Sequence, residues 1–178
     1  NQGQDEVRTP MPRRGTCRKD QSILVTAGTI FQSKDTFFYI LQTEHGDLFR
    51  VSLGTSSDPV NGVRVTDVVV QYFDTIASCN SLCITRTGLL FAASEISDHS
   101  LYQFRGLEGN PDAAESTCIA ASDAAGTSSE FAHELAPKFD PPDQFSVDGE
   151  ELQNLNLIDQ MPSMAPIINM SVDDLSST

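Results

Sequence analysis

Apolar residues in this chain come in short runs separated by Gly, Asp and Asn. In FFYILQTEHGDLFRVSL, Phe37 to Leu53, two such runs flank the polar stretch Glu44 to Asp47. The runs are rich in β-branched and aromatic residues, and nothing between Ile23 and Phe104 sustains a helical period. Clusters such as Ile23-Leu24-Val25 and Val68-Val69-Val70 resist a helix, because branching at Cβ restricts χ1 against the preceding turn. The pattern predicts strands near Ile23 to Ala27, Thr36 to Thr43, Leu48 to Leu53, Val63 to Tyr72, Ser81 to Thr85, Leu89 to Ser94 and Leu101 to Phe104. His45-Gly46 supplies the turn of the first clear hairpin, since glycine adopts positive φ at little cost.

Turn signals recur every eight to twelve residues or so, which is the spacing of a sandwich, a barrel or a propeller. Phe38 to Leu53 and Leu82 to Phe104 each read strand, glycine turn, strand, a repeat consistent with propeller blades. A closed propeller takes roughly four to eight blades of about forty residues, and this chain of 178 has room for about two of that texture. It is therefore expected to be part of a longer polypeptide.

Charge divides the chain further. The net charge is −14, of which Leu107 to Glu151 carries −10 through eleven Asp or Glu against one Lys. That segment is rich in Ala, Ser and Pro and cannot bury enough apolar surface to offset the entropy of ordering it, so a disordered acidic insertion is expected over 107–151. Residues 1–22, with Pro10, Pro12, Gly15 and five basic side chains in the first nineteen positions, read as a solvated surface loop or linker. Residues 23–106 are expected to form the blades. Residues 152–178 return to strand texture in LQNLNLID and MAPIINMSV. Cys17, Cys79, Cys83 and Cys118 do not resemble a disulfide framework; Cys79 and Cys83 would share one face of one strand. Without a signal peptide, a spanning apolar run or a lipidation motif, a reducing intracellular compartment fits best.

Candidate chemistry is sparse. Ser97-Asp98-His99 places triad residue types side by side, yet catalytic triads need side chains converging in space, and three successive residues point apart. His45, His99 and His133 are distant in sequence, and Cys79-x-x-x-Cys83 lacks a second pair, so no metal site is expected. No phosphate-binding glycine motif is present; Gly106-Leu107-Glu108-Gly109 lacks the flanking strand and helix. The aromatics sit in runs mostly without Lys or Arg, which suits core packing better than nucleic-acid stacking. No catalytic, cofactor-binding or metal-binding residue is expected, and by elimination the chain reads as a scaffold.

PMPRR (Pro10 to Arg14), FFYILQTEHGDLFRVSL, VQYFDTI (Val70 to Ile76), GLLFAASEISDHSLYQF (Gly88 to Phe104) and LQNLNLIDQMPSMAPIINMSV (Leu152 to Val172) together resemble one family, in order and spacing. It is the large β-propeller subunit of splicing factor 3b, subunit 3, called Rse in yeast. The chain departs from the family wording at Ile96-Ser97-Asp98 and in lacking a basic run before Leu152. The resemblance implies an all-β fold, part of a seven-bladed, WD40-like propeller within a three-propeller protein. On it, 23–106 would hold the last blades of the first propeller, and 152–178 its closing strand and the first strand of the second. It further implies a non-catalytic, nuclear scaffold of the U2 small nuclear ribonucleoprotein. Its partners would be the HEAT-repeat subunit and small subunits of splicing factor 3b, and branch-site recognition in pre-mRNA splicing its setting, with no cofactor, no membrane and little direct nucleic-acid contact. The same architecture serves the damaged-DNA-binding adaptor of cullin ubiquitin ligases and the large subunit of the cleavage and polyadenylation factor, the alternative reading.

Overall fold

The computed structural model describes residues 7–18, 21–34, 36–59, 62–107, 110–120, 135–141 and 152–163. Within them lie two antiparallel sheets and two small strand pairs. The first sheet is built from β3 (Val25–Gln32), β4 (Phe37–Thr43), β5 (Asp47–Asp58) and β6 (Gly62–Thr75) in that order. The second places β7 (Ser81–Ile84), β8 (Leu89–Ala93), β9 (His99–Phe104) and β13 (Leu155–Met161) side by side. The sheets approach through β3 and β7, their first strands, as two neighbouring propeller blades do.

Period-two alternation decides which residues meet between the sheets. On β4, Phe38 and Ile40 point inward and are fully buried, while Tyr39 between them is exposed. Ala27 and Phe31 of β3, Leu48 of β5 and Phe73 of β6 join them from the first sheet. Leu82, Leu90, Ala92, Tyr102 and Leu155 face them from the second, so one apolar core joins the two. Each fully buried Phe, Ile or Leu contributes roughly 1.5 to 3 kcal/mol relative to an exposed one. The tight hairpins β4–β5 and β7–β8 turn at Gly46 (φ 82°) and Gly88 (φ 80°), as the glycine at position 46 predicted.

Several boundaries differ from the sequence reading. β3 runs on through Gly28-Thr29 and ends at Gln32 rather than Ala27. β5 and β6 extend past Leu53 and before Val63 to pair as far as Asp58 with Gly62. This makes a two-stranded ribbon whose Val63 and Val65 are exposed. Its GTSSD stretch carries no apolar signal, and a backbone ladder to β6 sets its register. The two repeats seen in the sequence are offset: Phe38 to Leu53 covers the second and third strands of its sheet, whereas Leu82 onward begins at the first strand of the next.

The described parts of 1–22 and 107–151, where a loop and a disordered insertion were expected, contain short strands. Among the described residues, β1 (Val7–Arg8) pairs with β11 (Ile119–Ala120), and β2 (Arg13–Arg14) pairs in parallel with β12 (Lys138–Phe139). β10 (Glu115–Ser116) adds a fifth strand to the outer edge of β6. The insertion leaves the second sheet after β9 and crosses to the first before β13 returns to pair with β9. Its physical warrant is apolar after all: Phe139 enters a second small core with Phe49, Val70 and Tyr72. Residues 121–134 and 142–151, and the stretch from Met164 where a second propeller's first strand was expected, lie outside the described residues.

Candidate functional site

The most elaborated part of the molecule is the seam where the N-terminal segment and the insertion are bound to the first sheet. Arg14 donates from Nε to Asp47 Oδ2 and from Nη2 to Asp47 Oδ1, both at 2.7 Å, and from Nη2 to the His45 carbonyl at 3.0 Å. Asp47 is almost completely buried, directly after the Gly46 turn. Thr75 Oγ1 donates to its Oδ1 at 2.8 Å, and the Tyr72 hydroxyl lies 2.9 Å from that same Oγ1. The hydrogen bond to Asp47 raises the Arg14 pKa against the opposing effect of desolvation, so the guanidinium stays charged. Of the basic side chains read as a solvated loop over 1–22, Arg14 is instead spent on an internal, two-pronged ion pair.

Backbone and aromatic contacts complete this clamp. Arg13 N donates to the Pro137 carbonyl and Gly15 N to that of Phe139, each at 2.9 Å. The Phe139 ring stacks on Tyr72 with centroids 4.2 Å apart and meets Phe49 edge-on at 5.7 Å. At the outer edge, Cys118 N donates to Asp67 Oδ1 at 2.8 Å, and Val68 N approaches Cys118 Sγ at 3.1 Å. The hydrogen bonds from the Cys118 backbone and thiol hold the Asp67 carboxyl below its usual pKa.

A second buried carboxylate secures the return of the chain. Asp74 accepts from Gln153 N at 2.8 Å and from Asn154 N at 2.9 Å, while the Asn154 side-chain amide donates to the Phe73 carbonyl. This ties β6 of the first sheet to the residues that open β13 of the second. Burial pushes the Asp74 pKa up to about 6 despite these donors. Its folded value thus lies above the unfolded value near 3.9. The sign follows: the group's contribution is fully present below about pH 4 and is lost as pH rises through about 6. Relative to Asp74→Asn, which stays neutral, the wild type is expected to lose up to ~3 kcal/mol between pH 4 and pH 7.5. Denaturant midpoints of both proteins at the two pH values check this; a wild type that gains on the variant as pH rises would refute it.

Gln42 is the third buried polar hub. Its amide donates to the Ala77 carbonyl at 3.0 Å, and its oxygen accepts from Cys79 N at 2.8 Å and the Cys79 thiol at 2.9 Å. It pins the link between the sheets. Burial pushes the Cys79 thiol up to about 12, which leaves it unreactive. Cys79 and Cys83 do not share a strand face as expected. β7 starts at Ser81, so Cys79 precedes it inside the core, while Cys83, next to the inward Leu82, is half-buried. All four cysteines are free.

The residues first weighed for catalysis have separate partners. Asp98 Oδ1 accepts from Ser163 N at 3.1 Å, and His99 Nδ1 accepts from Ser94 N at 3.3 Å. Ser97 Oγ is buried without a hydrogen-bond partner, a general base included, among the described residues. No group of three or more His, Cys, Asp or Glu among the described residues has the geometry of a metal site. No helix among them is long and apolar enough to cross a membrane. The residues sequence reasoning missed, Arg14, Gln42, Asp47 and Asp74, carry no local signal of burial, because their partners come from distant parts of the chain.

Comparison with known proteins bears on the same residues. A family model described as the RSE1/DDB1/CPSF1 first beta-propeller matches residues 1–162. Spliceosome-associated protein 130 A of Arabidopsis thaliana is 36% identical over 172 residues, covering 97% of this chain and 12% of that protein. Splicing factor 3B subunit 3 of Drosophila melanogaster is 31% identical over 176 residues, 98% of this chain and 13% of its own length. Pre-mRNA-splicing factor RSE1 of Pyricularia oryzae is 32% identical over 182 residues, covering 97% and 14% respectively. The chain therefore spans about an eighth of the curated relatives it matches.

Proposed function

The chain belongs to the RSE1/DDB1/CPSF1 first β-propeller family, and we propose that it is a blade pair of a non-catalytic scaffold subunit of a splicing factor 3b complex. The observation that carries this reading is how the buried polar groups are used. Arg14 with Asp47, Asp74 with the Gln153 and Asn154 amides, and Gln42 with Cys79 all fix one segment of the chain to another. A molecule that commits its desolvated groups to holding its own shape offers partners a rigid surface. The relatives named as splicing factors point the surface toward the spliceosome.

On this reading the protein works in the nucleus, in the U2 small nuclear ribonucleoprotein. It presents its propellers to the HEAT-repeat subunit and the small subunits of the complex while the branch site is recognised. The three propellers are the frame, and residues 23–106 with the closing strand from 152 onward are the end of the first. Direct contact of this segment with RNA is slight, and it takes no cofactor. Affinity purification of the full-length protein tests the proposal. Recovery of the HEAT-repeat splicing subunit together with U2 RNA is expected; recovery of a cullin without either overturns it in favour of a ubiquitin-ligase adaptor.

A further inference from the structure

The loop that joins β8 to β9 presents the most exposed large apolar side chain among the described residues, Ile96, at 88%. A single exposed aliphatic on a slack loop would need no explanation. This loop is fastened along its length. Asn80 Nδ2 donates to Glu95 Oε2 and Glu95 N donates to Asn80 Oδ1, both at 2.9 Å. Ser94 Oγ donates to the Ser78 carbonyl at 2.8 Å and accepts from Ile96 N at 3.3 Å and Ser97 N at 3.1 Å. Ser94 N donates to His99 Nδ1 at 3.3 Å, which closes the loop at its base. The backbone that carries Ile96 is therefore ordered by its own sheet, and a surface that covers Ile96 does not bear the entropy of ordering it.

The position of the loop narrows the occupant. β13 ends at Met161, opposite His99, and Asp98 Oδ1 accepts from Ser163 N at 3.1 Å. The match to the first-propeller family stops at residue 162. The chain thus leaves this domain bonded to the loop, two residues along it from Ile96, and the sequence that follows, Met164-Ala165-Pro166-Ile167-Ile168, is apolar. We infer that the loop from Ser94 to Asp98 is the seat for the domain that follows the first propeller, with Ile96 as its apolar contact. This rests on the scaffold reading, on which that domain is the second propeller, opening with the strand from Met164. Ile96 forms the centre of the contact, and the exposed Glu95 and Asp98 its polar rim. Domains joined by one link move relative to each other unless a contact beside the link holds them, and this seat supplies that contact. A separate protein fits less well, because the tether at Ser163 keeps the following domain beside Ile96 at high effective concentration.

The test is hydrogen exchange read by mass spectrometry on the full-length protein. Ile96→Asp is expected to speed exchange about tenfold in the peptide from Met164 to Val172. Ile96→Val should keep the wild-type rate there, and Val63→Asp, a like change on the exposed ribbon, should leave it unaltered. Because Ile96 lies outside the core, β7, β8 and β9 should stay protected in every variant, which separates loss of the contact from misfolding. Unchanged exchange from Met164 to Val172 in Ile96→Asp overturns the inference. Faster exchange confined to 121–134 or 142–151 overturns it as well, since the insertion would then be what covers Ile96. If the seat fails in a protein that still recovers the HEAT-repeat subunit and U2 RNA, the scaffold reading stands; failure of that recovery with the wild type is failure of the scaffold reading itself.

Discussion

Replacing Arg14 with alanine is expected to destabilise the first sheet by about 3 kcal/mol or more. The reason is the asymmetry of the pair: Asp47 is 2% exposed, whereas Arg14 retains some contact with water. Removing the guanidinium leaves a desolvated carboxylate whose remaining side-chain donor among the described residues is the Thr75 hydroxyl. Breaking a buried pair from one side costs far more than the pair itself is worth, because the remaining charge has lost its compensation. Asp47→Asn on the Arg14→Ala background is therefore expected to recover part of the loss, since the stranded charge is gone. The loss should show locally in the full-length protein, as faster hydrogen exchange in Phe37 to Asp58 and in the β2 and β12 pair. A cost below about 1 kcal/mol would place Arg14 with ordinary exposed ion pairs and remove the clamp from the account.

That clamp explains why some of the structure was legible in the sequence and some was not. The hairpin from Phe37 to Leu53 was readable because its information is local: alternation of Phe38, Tyr39 and Ile40 fixes a face, and Gly46 fixes the register. Asp74 was not, because YFDT reads as a strand running into a turn former, and the amides that bury it come from residues 79 and 80 positions further on. The same holds for Arg14, which resembles any loop base until Asp47, 33 residues away, is brought to it. β10 and β12 have two residues each and no period to detect. Only the packing of Phe139 on Tyr72 makes sense of a strand in a segment so rich in Ala and acid. The acidic insertion accordingly looked unable to order itself, and its described parts order on a surface that the first sheet provides.

Phe38→Ala is expected to have the other large effect, about 3 to 5 kcal/mol, and to act on the union of the two sheets. The ring is fully buried, stacks on Phe31 with centroids 5.2 Å apart, and meets Phe104 edge-on at 6.0 Å. Phe104 ends β9 of the second sheet, so this one side chain contributes to both. Its loss leaves a cavity between sheets whose strands are held in register and cannot close over it. It also removes the π-face under the Arg50 guanidinium, a contact worth about 0.5 to 2 kcal/mol. Phe38→Leu, which refills most of the volume, is expected to cost distinctly less. Val63→Ala on the exposed ribbon should stay within about 0.5 kcal/mol of the wild type. Denaturant unfolding of the three full-length variants, with hydrogen exchange at β4 and β9, separates these cases. If Phe38→Ala loosens β4 but leaves β9 as protected as in the wild type, the two sheets are not joined through this ring. The shared core would then rest on Leu48, Leu90 and Leu155 instead.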